Sequence, residues 1–89
     1  MITREADYAI RVVLCLASRR DGLPVSTTEV AEAMFLPYRF LRKIVRKLSK
    51  AGLVASTRGK EGGIYLLSKP EDISIHDILA LFDPKSLLF

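Results

Sequence analysis

Two short helices joined by an apolar turn and followed at once by a two-strand hairpin predict a mainly α fold with a small β-hairpin wing, a winged helix-turn-helix. Three observations carry that expectation. Ser26-Thr27-Thr28-Glu29 has capping-box spacing, a basic amphipathic stretch ends at Gly52, and two apolar runs flank the glycine-rich Gly59-Lys60-Glu61-Gly62-Gly63. The 89 residues are read as one domain, 1–89, with 49% hydrophobic residues, enough for a single modest core and too many for a disordered tail.

The first helix is expected from Thr3 or Arg4 to about Arg20. Thr3 serves as N-cap, Glu5 sits near the positive end of the helix dipole, and Arg19-Arg20 near the negative end. Its interior, Ala9 to Ala17, is apolar almost all round, which predicts a central helix packed on more than one side. Asp21-Gly22-Leu23-Pro24 breaks the chain, and Pro24-Val25-Ser26 offers one short strand. A helix from Thr27 to Met34 then turns Val30, Ala31 and Met34 inward, and Phe35-Leu36 makes a tight apolar turn. Pro37 suits the first position of a third helix, where its missing N–H costs nothing. That helix ends at Ala51-Gly52. Leu53 to Arg58 and Ile64 to Ser68 read as two strands, and a last helix runs from Ser74, whose spacing to Asp77 loosely imitates a capping box, to about Phe82.

The formal net charge is +4, but its distribution says more. From Ala33 to Lys60 there is no Asp or Glu, while that stretch holds eight of the fourteen Lys and Arg residues. Projected at about 100° per residue, Arg39, Arg42, Lys43, Arg46 and Lys50 fall within an arc of roughly 100°, with Lys47 at its flank. Phe40, Leu41, Ile44, Val45 and Leu48 fill the opposite side. Like charges three and four residues apart cost a few tenths of a kcal/mol per pair. An external anion would relieve them, since the helix has no acid of its own. A merely solvated basic face is the plainer alternative, and membrane or calmodulin binding shares the pattern. The core's need for the apolar face argues against the latter two. The major groove of DNA admits one helix, so Arg39 and Arg42 in the first turns are the base-reading candidates, with Lys43, Arg46 and Lys50 as phosphate contacts.

Arg58-Gly59-Lys60 puts two cations on a hairpin tip without bulk, suited either to a phosphate or minor groove or to plain solvent exposure. Thr27 and Thr28 begin a helix whose free N–H groups could hold a phosphate, or act only as caps. Pro37 and Tyr38 open the basic helix and complete the set of candidate DNA-binding residues.

These residues resemble the Rrf-two family of bacterial transcriptional regulators, of the IscR, NsrR and CymR type. The resemblance covers nearly the whole chain. It is carried by Thr3-Arg4-Glu5-Ala6-Asp7-Tyr8-Ala9-Ile10-Arg11, Leu48-Ser49-Lys50-Ala51-Gly52-Leu53-Val54, the wing Arg58 to Leu66, and Ile73-Ser74-Ile75-His76-Asp77-Ile78-Leu79. It implies a homodimeric regulator, a repressor, on a partly palindromic double-stranded operator. The helix with Arg39 and Arg42 would lie in the major groove, and Arg58 would reach the minor groove. Lys60-Glu61 fill part of a wing that the family makes richer in proline and glycine. Many members carry three cysteines beyond the last helix as iron–sulfur ligands, and a long C-terminal dimerisation helix. Neither is in these 89 residues, so no cofactor is expected in this chain. The alternative is a shortened protein-interaction module that pairs with a full-length regulator through Leu87-Leu88-Phe89.

Cys15, the only cysteine, lies in the apolar first helix and is expected to be a buried structural thiol. His76 is the only histidine and is expected near solvent or a dimer partner, so no zinc set forms. Tyr8 and Tyr65 read as packing residues. No nucleophile–base pair appears, so no catalysis is expected. The start carries Glu5 and Asp7 rather than a signal peptide, and no apolar run spans a bilayer, which points to the cytoplasm.

Overall fold

The computed structural model describes residues 3–19, 22–57 and 63–82. Its elements are α1 (Arg4–Ala17), α2 (Thr27–Met34), α3 (Tyr38–Lys50), β1 (Val54–Ser56), β2 (Ile64–Leu66), a 3-10 turn (Pro70–Asp72) and α4 (Ile75–Phe82). The expected helices and hairpin follow in order, with the 3-10 turn as an addition and, among the described residues, no strand between α1 and α2. The tip residues Arg58, Gly59 and Lys60, and the apolar tail, lie outside the described residues.

Side-chain caps start three of the helices. The Thr3 hydroxyl accepts from the Ala6 N–H at 3.2 Å, and the Ser26 hydroxyl accepts from the Glu29 N–H at 3.4 Å. At α4 the box is reciprocal: the Asp77 N–H donates to Ser74 Oγ at 3.0 Å, and the Ser74 N–H donates to Asp77 Oδ2 at 3.2 Å. α1 stops at Ala17, earlier than the sequence suggested, with Ser18 N–H on Leu14 O and Arg19 N–H on Leu16 O.

Helix α3 differs by one residue at its start. Pro37 is its N-cap rather than its first helical residue, because its ψ of 132° is extended while its carbonyl accepts from the Phe40 and Leu41 N–H groups. α3 ends as expected in a Schellman motif: Gly52 has φ +79°, its N–H bonds Ser49 O at 3.0 Å, and the Leu53 N–H bonds Leu48 O at 3.0 Å.

The end of α2 has the same pattern without a glycine. Phe35 sits at φ +56° and ψ +44°, and the Leu36 N–H bonds Ala31 O at 2.8 Å. Leu36 is buried while Phe35 is 90% exposed. The backbone turn swings one ring out so that the next side chain can enter the core.

α1 is the central element, packed against α2, α3, α4 and β2. It contributes Ala6, Ala9, Val12, Val13 and Leu16 to the core, where Leu41, Ile44 and Leu48 of α3 meet them. Its apolar character does not extend to burial on every side, since Leu14 stays 63% exposed. Phe40, expected in the core, is 41% exposed and meets the Tyr8 ring edge-on at 6.3 Å.

β1 and β2 pair antiparallel, Val54 opposite Leu66 and Ser56 opposite Ile64. The short strand expected at Pro24–Ser26 is a single bridge. Val25 and Ile64 exchange both backbone hydrogen bonds, at 2.8 and 2.9 Å, on the other edge of β2. The Thr57 N–H then bonds Gly63 O at 2.8 Å, and the Gly63 N–H donates to Thr57 Oγ1 at 3.1 Å, which closes the base of the wing.

Two stability outcomes follow. A Cβ at Gly63 would collide with the Val25 carbonyl and lie 2.9 Å from the Ser26 nitrogen, so Gly63→Ala should lower unfolding free energy by about 1–3 kcal/mol in urea titration. Phe35→Gly relieves a left-handed conformation costing about 1–2 kcal/mol and gives up almost no burial, so the same titration should show no loss and a gain of up to about 1 kcal/mol.

Candidate nucleic-acid interface

The buried triad Leu41, Ile44 and Leu48 sets the rotation of α3, so Arg39, Arg42, Arg46 and Lys50 point away from the core. All four are exposed, and none forms an ion pair among the described residues. A face of unpaired guanidinium and ammonium groups on a rigidly packed helix is what an anionic double helix requires.

This face continues onto two neighbours. A groove of about 340 Å³ is lined by Thr27 of α2, by Tyr38, Arg42, Val45, Arg46 and Ser49 of α3, and by Ser56 and Ile64 of the hairpin. The Thr27 hydroxyl donates to the Tyr38 hydroxyl at 3.5 Å, tying the start of α2 to the start of α3. Thr28 lies on the other side of Tyr38, in a shallow apolar depression with Ala31, Glu32 and Leu36. The structure therefore brings Thr27, Tyr38, Arg42 and Arg46 together, sets Thr28 one step aside, and leaves Pro37 exposed at the α3 start. Ser49 and Ser56 are additions. Ser49 could have been found, since it projects beside Arg42 on the helical wheel. Ser56 reaches the groove only through strand pairing.

Lys43 differs from Arg39, Arg42, Arg46 and Lys50 in having an ion-pair partner among the described residues. The helix has no acid of its own, and Glu5 of α1 supplies one from outside it. Glu5 Oε1 is 3.1 Å from Lys43 Nζ and Oε2 is 3.5 Å from Lys47 Nζ. Lys47 Nζ also lies 5.2 Å from the centroid of the Phe82 ring in α4. The hydrogen bond from Lys43 holds the Glu5 carboxyl below its ordinary value, against the upward push of desolvation, with the charges of both lysines adding to the lowering.

The other candidates lie apart from this face. Cys15 is half-buried rather than fully enclosed, and desolvation pushes its thiol up, with Arg19 pulling it the other way and Glu29 adding to the rise. His76 is exposed, and Tyr8 and Tyr65 are half-buried. Among the described residues no three His, Cys, Asp or Glu side chains are placed to hold a metal ion. The iron–sulfur cluster implied by the family resemblance does not fit these 89 residues, which supply one cysteine where such clusters take several thiolate ligands.

The Glu5 pairing makes a pH outcome. Its folded pKa is depressed, so the stabilisation is present above the unfolded value near 4.5 and is lost as pH falls through the folded value. The stability difference between the parent chain and Glu5→Gln, measured by thermal melts at stepped pH, should shrink on acidification below that point.

The Rrf2 family model, described as iron-dependent transcriptional regulators, matches residues 2–89. An rrf2-like HTH-type transcriptional regulator of Rhodobacter capsulatus is 43% identical over 86 residues, covering 93% of this chain and 57% of that protein. CymR, the global cysteine regulator of B. subtilis, has TM-score 0.88 at 31% identity, covering 93% of this chain and 64% of its own. IscR of T. potens has TM-score 0.86 at 34% identity, covering 100% and 64%. The chain thus spans less than two thirds of the length of these relatives. Its four helices and antiparallel hairpin are the winged-helix fold of CymR and IscR. The chain belongs to the Rrf2 family of transcriptional regulators.

Proposed function

We propose that this chain is a sequence-specific DNA-binding domain that represses transcription by occupying its operator. The observation that carries the reading is the row of unpaired, exposed cations on α3, held outward by a buried triad on the same helix. In this reading α3 enters the major groove, and Arg39 and Arg42 grip base edges, arginine being able to hold guanine with two bonds. Arg46 and Lys50 hold phosphates, joined by Thr27, Thr28 and Tyr38 and by the polypeptide turn at Pro37. Lys43, engaged by Glu5, is left out of this set. Residues 58 to 64, with Arg58, Gly59 and Lys60 at the tip, rest on the backbone or in the minor groove.

Two copies work together as a homodimer, because two half-sites about one helical turn apart give the affinity one small interface lacks. The chain carries no cofactor and no catalytic role of its own, and it acts in the cytoplasm. Its described helices include none long and apolar enough to cross a membrane.

The test is selection of bound duplexes from a randomised pool, followed by anisotropy titrations of the selected site and a scrambled one across salt. Arg39→Ala and Arg42→Ala should each lose about 1–3 kcal/mol on the selected site and relax its sequence preference. Arg46→Ala should weaken both duplexes alike and flatten the salt slope by about 0.9. If both early arginines can be removed with affinity and preference intact, α3 is not the reading helix.

A further inference from the structure

Six cations project from α3, and the structure divides them into two sets. Arg39, Arg42, Arg46 and Lys50 have no ion-pair partner among the described residues. Lys43 and Lys47, one turn apart on the flank facing α1, share Glu5, each with its own carboxylate oxygen at 3.1 and 3.5 Å. Lys47 is held a second time by the Phe82 ring, 5.2 Å from its ammonium.

The anchor is the acid. Glu5 sits in the first turn of α1 between the Thr3 cap and the fully buried Ala6, so its backbone is fixed by packing rather than by the lysines. Its side chain is 31% exposed, against 62% for Lys43. Ion pairs this open to water add little stability, so stability alone gives a weak reason for spanning two helices with one. For a polyanion the consequence is larger. A phosphate brought to Lys43 or Lys47 must displace a carboxylate whose backbone stays in place beside them, and it meets like charge as it does so.

We infer that Glu5 is a specificity-determining residue, withholding Lys43 and Lys47 from the DNA backbone and so limiting sequence-independent binding. The inference rests on the DNA-binding reading above. Non-specific affinity comes almost wholly from phosphate contacts, each worth about 0.9 in the slope of log K against log salt. Two withheld lysines therefore remove about 1.8 from that slope. Between 50 and 200 mM salt this is about a twelvefold difference in how far affinity falls.

The experiment is anisotropy titration of a random-sequence duplex across that salt range. It compares the parent chain, Glu5→Gln, the triple variant E5Q/K43Q/K47Q and Glu71→Gln. Glu71 is an exposed acid on the 3-10 turn, and its replacement changes net charge by the same amount. E5Q should steepen the slope by about one to two units and tighten low-salt binding at least about fivefold. The triple variant should return both to the parent values or below, and E71Q should move neither by more than a small fraction. Glu5→Ala provides the same comparison if E5Q fails to melt cooperatively. An E5Q slope equal to that of E71Q, or a gain that survives in the triple variant, overturns the inference alone. A parent chain that binds neither random nor selected duplex overturns the DNA-binding reading, and the inference with it.

Discussion

Burial of Leu41, Ile44 and Leu48 against α1, α2 and β1 fixes the rotation of α3 about its own axis. Each such side chain contributes about 1.5–3 kcal/mol on leaving water, whereas each like-charge pair on the opposite face costs a few tenths. Burial outweighs repulsion by a wide margin, so a cationic row can be held in water without unsettling the helix. The same three residues give the arginines their common direction, because no side chain on the outer face has to pack for the helix to stay in place. Affinity for an anion is in this sense a surface property, separable from the fold beneath it.

The helix pair is held at both ends of its connection. At one end Phe35 accepts a left-handed backbone so that Leu36 can be buried and α3 can begin at once. At the other, Thr27 and Tyr38 meet at their hydroxyls. Between them the start of α2 and the start of α3 are kept side by side, which is what a groove shared by Thr27, Arg42 and Arg46 needs. The hydroxyl pair is exposed and long, so it orients rather than stabilises.

Much of this was legible in the chain because it rests on local chemistry. Ser74 with Asp77, and Gly52, are signals read within four residues that form the caps their spacing announces, while Ser26 caps α2 and the Glu29 side chain pairs with Arg19. The division of α3 into two faces follows from period alone. What escaped depends on contacts distant in sequence. Nothing near Lys43 reveals Glu5, because thirty-eight positions separate them and only the packing of α1 on α3 brings them together. The wheel position of Phe40 points inward, yet the ring lies at the rim, where it meets Tyr8 edge-on. Pro37 fits a cap and a first helical residue equally well by φ, and only ψ separates the two.

The Val25–Ile64 bridge joins parts of the molecule that are far apart in the chain. Because Val25 directly precedes the Ser26 cap and Ile64 begins the second wing strand, the wing is fastened to the start of the helix pair as well as to the end of α3. Two attachments leave a hairpin little freedom to swing. The base of the wing and the start of the helix pair are therefore held as one unit. A force taken up at the base of the hairpin is thus shared between the start of α2 and the end of α3, instead of passing to α3 alone.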